Sequence, residues 1–152
     1  AFYSCSSLTS VNIPDSVTTI GNSAFYSCSS LTSVDIPDSV TNIGEFAFAG
    51  CKGLTSITIP NTVESIGEYA FSSCRAATSV TIGSGVISIA SGAFYGCWEL
   101  NEIICKATTP PSVADKWVFY DIADNVNVIV PASSVDQYKA SDFWKNFNIV
   151  AE

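Results

Sequence analysis

Apolar residues recur along this chain at a fixed interval. Ala-Phe occurs at Ala1-Phe2, Ala24-Phe25, Ala47-Phe48, Ala70-Phe71 and Ala93-Phe94, always with the same 23-residue step. Cys5, Cys28, Cys51, Cys74 and Cys97 keep that step, as do Leu8, Leu31, Leu54 and Leu100, with Ala77 in the fourth place. The pairs Val11/Ile13, Val34/Ile36, Ile57/Ile59, Val80/Ile82 and Ile103/Cys105 follow, and then Val17, Val40, Val63, Val86 and Ile20, Ile43, Ile66, Ile89. Self-similarity of this kind marks an architecture in which one unit cannot bury its own apolar face and stacked units can.

Within a unit, apolar and polar residues alternate with the period of a strand, which predicts parallel strands near 10–13, 33–36, 56–59, 79–82 and 102–105. Pro14, Pro37 and Pro60 end the first three, because proline has no N–H for the ladder. The V-x-x-I-G stretch that follows is short and β-rich, and Gly21, Gly44 and Gly67 are expected to bend the chain at positive φ. The A-F-x-x-C stretch predicts a short helical or 3₁₀ turn that brings Phe and Cys back inward. About seven apolar side chains per unit at roughly 1.5–3 kcal/mol each yield on the order of 10–15 kcal/mol. Ordering one unit costs as much or more, so its stability rests on its neighbours.

The step fails after Cys105. Thr109-Pro110-Pro111 predicts an extended linker and Asn127-Val128-Ile129-Val130 a strand stopped by Pro131. Ser133 then opens a helix with Asp136 in capping-box position, and Val135, Tyr138, Trp144 and Phe147 form its buried stripe. Asn148-Ile149-Val150 reads as a last strand. The organisation expected is a solenoid over residues 1–105 and a cap over 106–152. Ala1 opens inside a unit, so the chain reads as the C-terminal part of a longer array, and its uncovered N-terminal edge is expected to self-associate.

The motif resembles the BspA-like leucine-rich repeats of bacteria, which have a 23-residue period. Ala24-Phe25-Tyr26-Ser27-Cys28, Leu31-Thr32-Ser33-Val34-Asp35-Ile36-Pro37 and Val40-Thr41-Asn42-Ile43-Gly44 carry the resemblance. The tail from Cys105 to Pro111, through Val130-Pro131-Ala132 to Tyr138 and Trp144-Lys145, is similar to the C-terminal segment common in such proteins. Ala77, Gly83 and Ala90 depart from the pattern in the fourth unit. The resemblance implies an α/β leucine-rich-repeat solenoid: a right-handed stack with a parallel sheet, closed by a small α+β cap. It also implies a bacterial protein, exported to the cell surface or secreted, that binds protein, including host extracellular matrix proteins such as fibronectin and fibrinogen.

Composition narrows the chemistry. The chain is 47% hydrophobic and 13% charged, which describes an apolar interior under uncharged Ser, Thr and Asn. A net charge of −8 repels a phosphate backbone, so nucleic acid is excluded as a partner, and anionic membrane surfaces are disfavoured. No run of eighteen apolar residues spans a membrane, and no signal peptide is visible. The absence of histidine removes the commonest general base and metal ligand. Cysteines spaced one whole unit apart lack the clustering of a metal site. In a ladder their Cβ vectors run parallel, which disfavours disulfides, so they read as packed core residues. The carboxylates Asp15, Asp35, Asp38, Glu45, Glu64, Glu68, Glu99 and Glu102 are scattered, and Gly83-Ser84-Gly85 reads as a turn rather than a phosphate loop. No catalytic residue, metal ligand or cofactor site is assigned, and the chain is not read as an enzyme.

Two surfaces remain as candidates for a partner. Strand alternation points Ser33, Asp35, Ser56, Thr58, Ser79 and Thr81 to the concave side, with Ser10, Asn12, Glu102 and Ile104 at its ends. Tyr3, Tyr26 and Tyr95 share one column on the turn side, and Phe46 and Tyr69 share another beside it. The reading is a non-catalytic protein-binding module of adhesion type. A structural spacer is the alternative, and a glycan-active solenoid enzyme a more remote one.

Overall fold

The computed structural model describes residues 1–152. Its elements in chain order are β1 (Thr19–Ile20), β2 (Asn42–Ile43), β3 (Ser56–Thr58), β4 (Ser65–Ile66), β5 (Ser79–Ile82), β6 (Ser88–Ile89), β7 (Glu102–Cys105), β8 (Ser112–Val113), β9 (Asn127–Val130), α1 (Val135–Ala140) and β10 (Asn148–Ala151). All strand pairs are parallel, in two five-stranded sheets of order β1-β2-β4-β6-β8 and β10-β9-β7-β5-β3. The three turns that carry β3/β4, β5/β6 and β7/β8 therefore each add one strand to each sheet. The register is the sequence step itself: Ile57 lies beside Val80, Val80 beside Ile103, and Ile43 beside Ile66.

The strands expected near 79–82 and 102–105 match β5 and β7, and β3 covers most of 56–59. The first two are reduced to one bridge between Asn12 and Asp35. Those positions carry Asn and Asp, which fit a pleated surface poorly, whereas Thr58 and Thr81 occupy the same column in β3 and β5.

One core of stacked columns fills the coil. Phe2, Phe25, Phe48, Phe71, Phe94 and Phe119 form a continuous ring stack with centroids 5.4, 5.1, 5.1, 5.6 and 5.1 Å apart and planes within 8° of parallel. Beside it, the thiol of Cys28 donates to the Phe2 carbonyl at 3.1 Å, Cys51 to Phe25 at 3.1 Å, Cys74 to Phe48 at 3.4 Å and Cys97 to Phe71 at 3.2 Å. Each of these thiols packs like a small apolar group and also satisfies a carbonyl of the preceding turn. Cys28, Cys51, Cys74, Cys97 and Cys105 are buried, and Cys5 is exposed.

The A-F-x-x-C segments are successive turns, not helix. Bonds such as Cys28 N–H to Phe25 O and Tyr26 N–H to Ser23 O span three residues, as in a 3₁₀ helix. Residues at positive φ interrupt them in two columns: Ser4, Ser27, Gly50, Ser73, Gly96 and Asp121, and Ser23, Phe46, Tyr69 and Gly92.

Gly21, Gly44 and Gly67 do not hold the positive φ expected of them. Two of them serve close approach between turns. A Cβ on Gly44 would lie 2.8 Å from the Asn22 backbone nitrogen, and one on Gly67 would lie 2.6 Å from the carbonyl carbon of Gly44.

The coil continues past Cys105 at a longer step. β8 pairs with β6 at Ser88–Ser112. Phe119 extends the ring stack beyond Phe94, although the unbroken step would have reached Trp117. Ile122 stands where the preceding turns carry cysteine, at the same offset from the phenylalanine.

The tail then covers the last turn. Helix formation starts as a 3₁₀ turn, Ala132–Ser134, with Ser134 N–H bonded to Pro131 O. The capping box expected at Ser133 and Asp136 is replaced by this turn, because the residue preceding α1 is Ser134 and its side chain makes no cap bond. α1 ends at Ala140, so the expected single stripe comes from two short elements, α1 and a 3₁₀ turn at Trp144–Asn146. Tyr138 and Trp144 are fully buried. Tyr138 donates to Ala107 O at 2.8 Å and contacts Cys105 Sγ at 3.2 Å, while Trp144 Nε1 donates to Pro111 O at 3.0 Å. Phe147 meets Phe119 edge-on at 80°, which ends the parallel ring stack.

Candidate interaction surface

The two aromatic columns seen in the sequence merge into one strip. Tyr3 stacks on Tyr26 at 4.9 Å, and Tyr26 meets Phe46 edge-on at 6.4 Å. Phe46 stacks on Tyr69 at 5.2 Å, Tyr69 meets Tyr95 edge-on at 6.4 Å, and Tyr95 stacks on Tyr120 at 5.7 Å. Trp117 closes the strip against Tyr120 at 4.8 Å. Tyr3, Phe46, Trp117 and Tyr120 are exposed, and Tyr26, Tyr69 and Tyr95 are half-buried.

The strip changes column without losing a turn. The column of Tyr3 and Tyr26 continues as Ala49 and Ser72 before returning to Tyr95 and Tyr120. In the two turns that lack its tyrosine, the neighbouring column supplies Phe46 and Tyr69. Ala49 and Ser72 are buried there.

That substitution has a backbone cost. Phe46 and Tyr69 both sit at φ 53°, in the left-handed region, where the equivalent residues of other turns are Ser23 and Gly92. A bulky side chain in that region costs about 1–2 kcal/mol. Gly92 also makes room for the strip, because a Cβ there would collide with Cε1 of Tyr69.

Charged groups neighbour several of the surface rings. Glu45 and Glu68 directly precede Phe46 and Tyr69, and both lie at the surface of the coil. Arg75 lies over the Trp98 ring at 4.0 Å, and Lys116 over Trp117 at 4.9 Å. Trp98 Nε1 donates to Asp121 Oδ2 at 2.7 Å, tying the last two turns together.

The sheet face is separate from the strip. Ser56, Ser79 and Glu102 run in register across β3, β5 and β7, as do Thr58, Thr81 and Ile104. Ser33 and Asp35 lie on the preceding turn, where only Asp35 pairs. This face is hydroxylated at its centre and becomes aliphatic towards the cap, through Ile104, Ile129 and Val150.

Reactive chemistry is sparse. Desolvation raises the Cys51 and Cys97 thiols to about 12 and raises Cys28, Cys74 and Cys105 as well, so these sulfurs are neutral at physiological pH. Burial raises the Tyr138 phenol, aided by neighbouring Cys105. The bond to Lys145 at 2.9 Å on the surface lowers the Asp142 pKa. No group of three or more His, Cys, Asp or Glu is arranged to hold a metal. Asp15, Asp35 and Asp38 line one open cleft, with no cation among its residues.

A profile of the BspA type leucine rich repeat region matches residues 1–123 in six copies. The chain belongs to the BspA-type leucine-rich repeat family. Solved structures share its fold, among them three leucine-rich repeat proteins. A leucine-rich repeat protein from Bacteroides ovatus is 32% identical with a TM-score of 0.66, matching 88% of this chain and 40% of its own. A leucine rich cell surface protein from Faecalibacterium prausnitzii is 32% identical with a TM-score of 0.74, over 87% of this chain and 34% of its own. The T. pallidum leucine rich repeat protein is 30% identical with a TM-score of 0.68, over 96% of this chain and 71% of its own. The chain thus spans less than half the length of the first two. A comparison with curated proteins returns no match.

The coil's last turn, which extends the ring stack at Phe119, is the one that the 23-residue step does not reach. Trp117 and Tyr120 lie in this turn, beyond the reach of that step. Their signal was the sequence Trp-Val-Phe-Tyr, which repeats the Tyr69-Ala70-Phe71 pattern in larger residues.

Proposed function

We propose that this BspA-type chain is a non-catalytic protein-binding module of an exported surface protein, and that it engages its partner through the aromatic strip. One observation carries the reading: the strip stays continuous over six turns by switching columns at Phe46 and Tyr69. Packing alone does not require this. Serine and glycine serve the same backbone position in other turns at lower cost. Exposed Tyr and Trp are rigid amphipathic anchors of the kind that dominate interface energetics. The family relationship, together with a structural neighbour described as a cell surface protein, supports an extracellular setting. Host matrix proteins are the partner class proposed.

Surface plasmon resonance with immobilised fibronectin and fibrinogen tests this reading. The chain should bind at least one of them saturably. The double variant Phe46→Asn/Tyr69→Asn should lose at least about ten-fold in affinity. Asparagine tolerates the left-handed backbone, so its thermal midpoint should stay close to the parent's. Binding unaffected by the double variant would remove the strip from the interface, and no binding to either protein would remove the partner class.

A further inference from the structure

A cleft of ≈490 Å³ opens between the last turn of the coil and the tail, at the opposite end of the molecule from the exposed first turn. That volume falls within the ~300–1,000 Å³ range of small-molecule sites. Phe119, which is buried, and Ile122 and Phe147, which are half-buried, give it an apolar inner lining. Its rim is amide-rich: Asn125, Asn127, Asn146 and Asn148, four of the chain's nine asparagines, converge there with Asp124.

The hydrogen bonds already made leave a defined remainder. Asn148 Nδ2 donates to Asn127 Oδ1 at 2.6 Å, so Asn127 keeps its amide donor and Asn148 its carbonyl acceptor, side by side. Asn146 Nδ2 donates to the Phe143 and Asp142 carbonyls at 2.7 and 3.2 Å, which leaves its Oδ1 as an acceptor. Asn125 holds φ 59° at the loop tip and adds a further amide. The rim therefore offers both donors and acceptors around an apolar inner lining.

That combination selects a ligand class. No Lys or Arg lines the cleft, so an anion would meet Asp124 without a counter-charge. One carboxylate with a few amide oxygens falls short of the roughly six to eight oxygens that Ca²⁺ takes, and no Cys or His is there for Zn²⁺. A purely apolar ligand would strip water from the amides without replacing it. A hydroxyl is donor and acceptor at once, and a pyranose ring carries vicinal hydroxyls at its edge and C–H bonds on its face. We infer that this cleft is a binding site for a neutral pyranose sugar. It is separate from the aromatic strip.

The test is an NMR titration of the chain's asparagine side-chain amides with galactose, mannose and N-acetylglucosamine, with sialic acid as the anionic arm. Each sugar is raised to on the order of 50 mM, enough to reveal a Kd of ~10 mM. At least one neutral sugar should shift the Asn125, Asn127 and Asn148 amides saturably. Asn127→Asp still accepts from Asn148 but converts the free donor into an acceptor, and it should weaken binding about ten-fold or more without lowering the thermal midpoint. Asn125→Gly keeps the loop backbone, removes one amide and should weaken binding too. The inference is overturned if none of the three neutral sugars shifts those amides, if both variants bind like the parent, or if sialic acid binds as well as the best neutral sugar.

Discussion

The thiol of Cys97 donates a hydrogen bond to the carbonyl oxygen of Phe71, one turn earlier, at 3.2 Å. The same contact recurs in three other turns, and its chemistry makes stability depend on alkaline pH. Burial raises the Cys51 and Cys97 thiols from 9.0 to about 12. In that window the unfolded chain has released protons that the folded chain retains, so stability falls as pH rises. Each such thiol contributes a slope of about 1.4 kcal/mol per pH unit. Urea unfolding from pH 8 to 11 should show full stability below about pH 9 and a midpoint that drops steeply above it. Cys51→Val and Cys97→Val together should make that drop shallower, the remainder coming from the other buried thiols.

Thiol accessibility follows from the same columns. Cys5 is exposed and the other five cysteines are buried. A thiol reagent at neutral pH should label one group per native chain and six in denaturant. A denatured count of four or fewer would mean that a disulfide forms.

Gly92 should resist substitution. Its φ is 64°, and an added methyl would enter the Tyr69 ring. Gly92→Ala is expected to cost about 1–3 kcal/mol and to change tyrosine fluorescence as Tyr69 is displaced. A midpoint equal to the parent's would show that the ring swings aside freely.

Trp144 ties the tail to the last turn of the coil. Trp144 is fully buried, touches Phe119, Tyr138, Phe143 and Phe147, and bonds Pro111. Trp144→Ala should cost about 3–5 kcal/mol, a large part of the ~5–15 kcal/mol that typically holds a domain folded. It should also raise binding of a hydrophobic dye, because Phe119 would lose its cover. A loss below about 1 kcal/mol in urea titration would place the stability of the last turn elsewhere.

The polypeptide of residues 1–152 presents an apolar face at its first turn. Phe2 is 41% exposed and stacks on Phe25 from one side only, and Ala1, Phe2, Val11, Ile13, Val17 and Ile20 line an open groove. This polypeptide should self-associate as concentration rises, by light scattering, and Phe2→Ser should weaken that association. A monomer at millimolar concentration would show that the face is tolerated in water.

Much of this architecture was legible because the apolar columns keep one step. Ile20, Ile43, Ile66 and Ile89 could be placed on one ladder without coordinates, and so could the phenylalanines. What stayed hidden depended on where chain meets chain. Gly44 and Gly67 looked like bend residues, yet their role is to let successive turns touch. The left-handed positions fell on Phe46 and Tyr69, residue types that carry no such signal. For the surface, Tyr26, Phe46, Tyr69 and Tyr95 were found by column. Their alternation as one strip needed the geometry, and Trp117 and Tyr120 lay beyond the change of step. The asparagine cleft joins residues 119–127 to 146–148, a juxtaposition that no spacing announces.

The uniform register also bears on how such a molecule changes length over evolutionary time. Side-chain bonds between turns in the regular coil join each residue to one in the turn directly before it. No such bond skips a turn. Duplicating or deleting one whole unit therefore leaves every surviving interface with the partner surface it had before. A short insertion within a turn is absorbed only where a loop takes up the slack, as Thr108-Thr109-Pro110-Pro111 does before the last turn. Tandem gene rearrangement in whole repeat units would lengthen or shorten the aromatic strip by one ring while leaving the fold's energetics per turn unchanged.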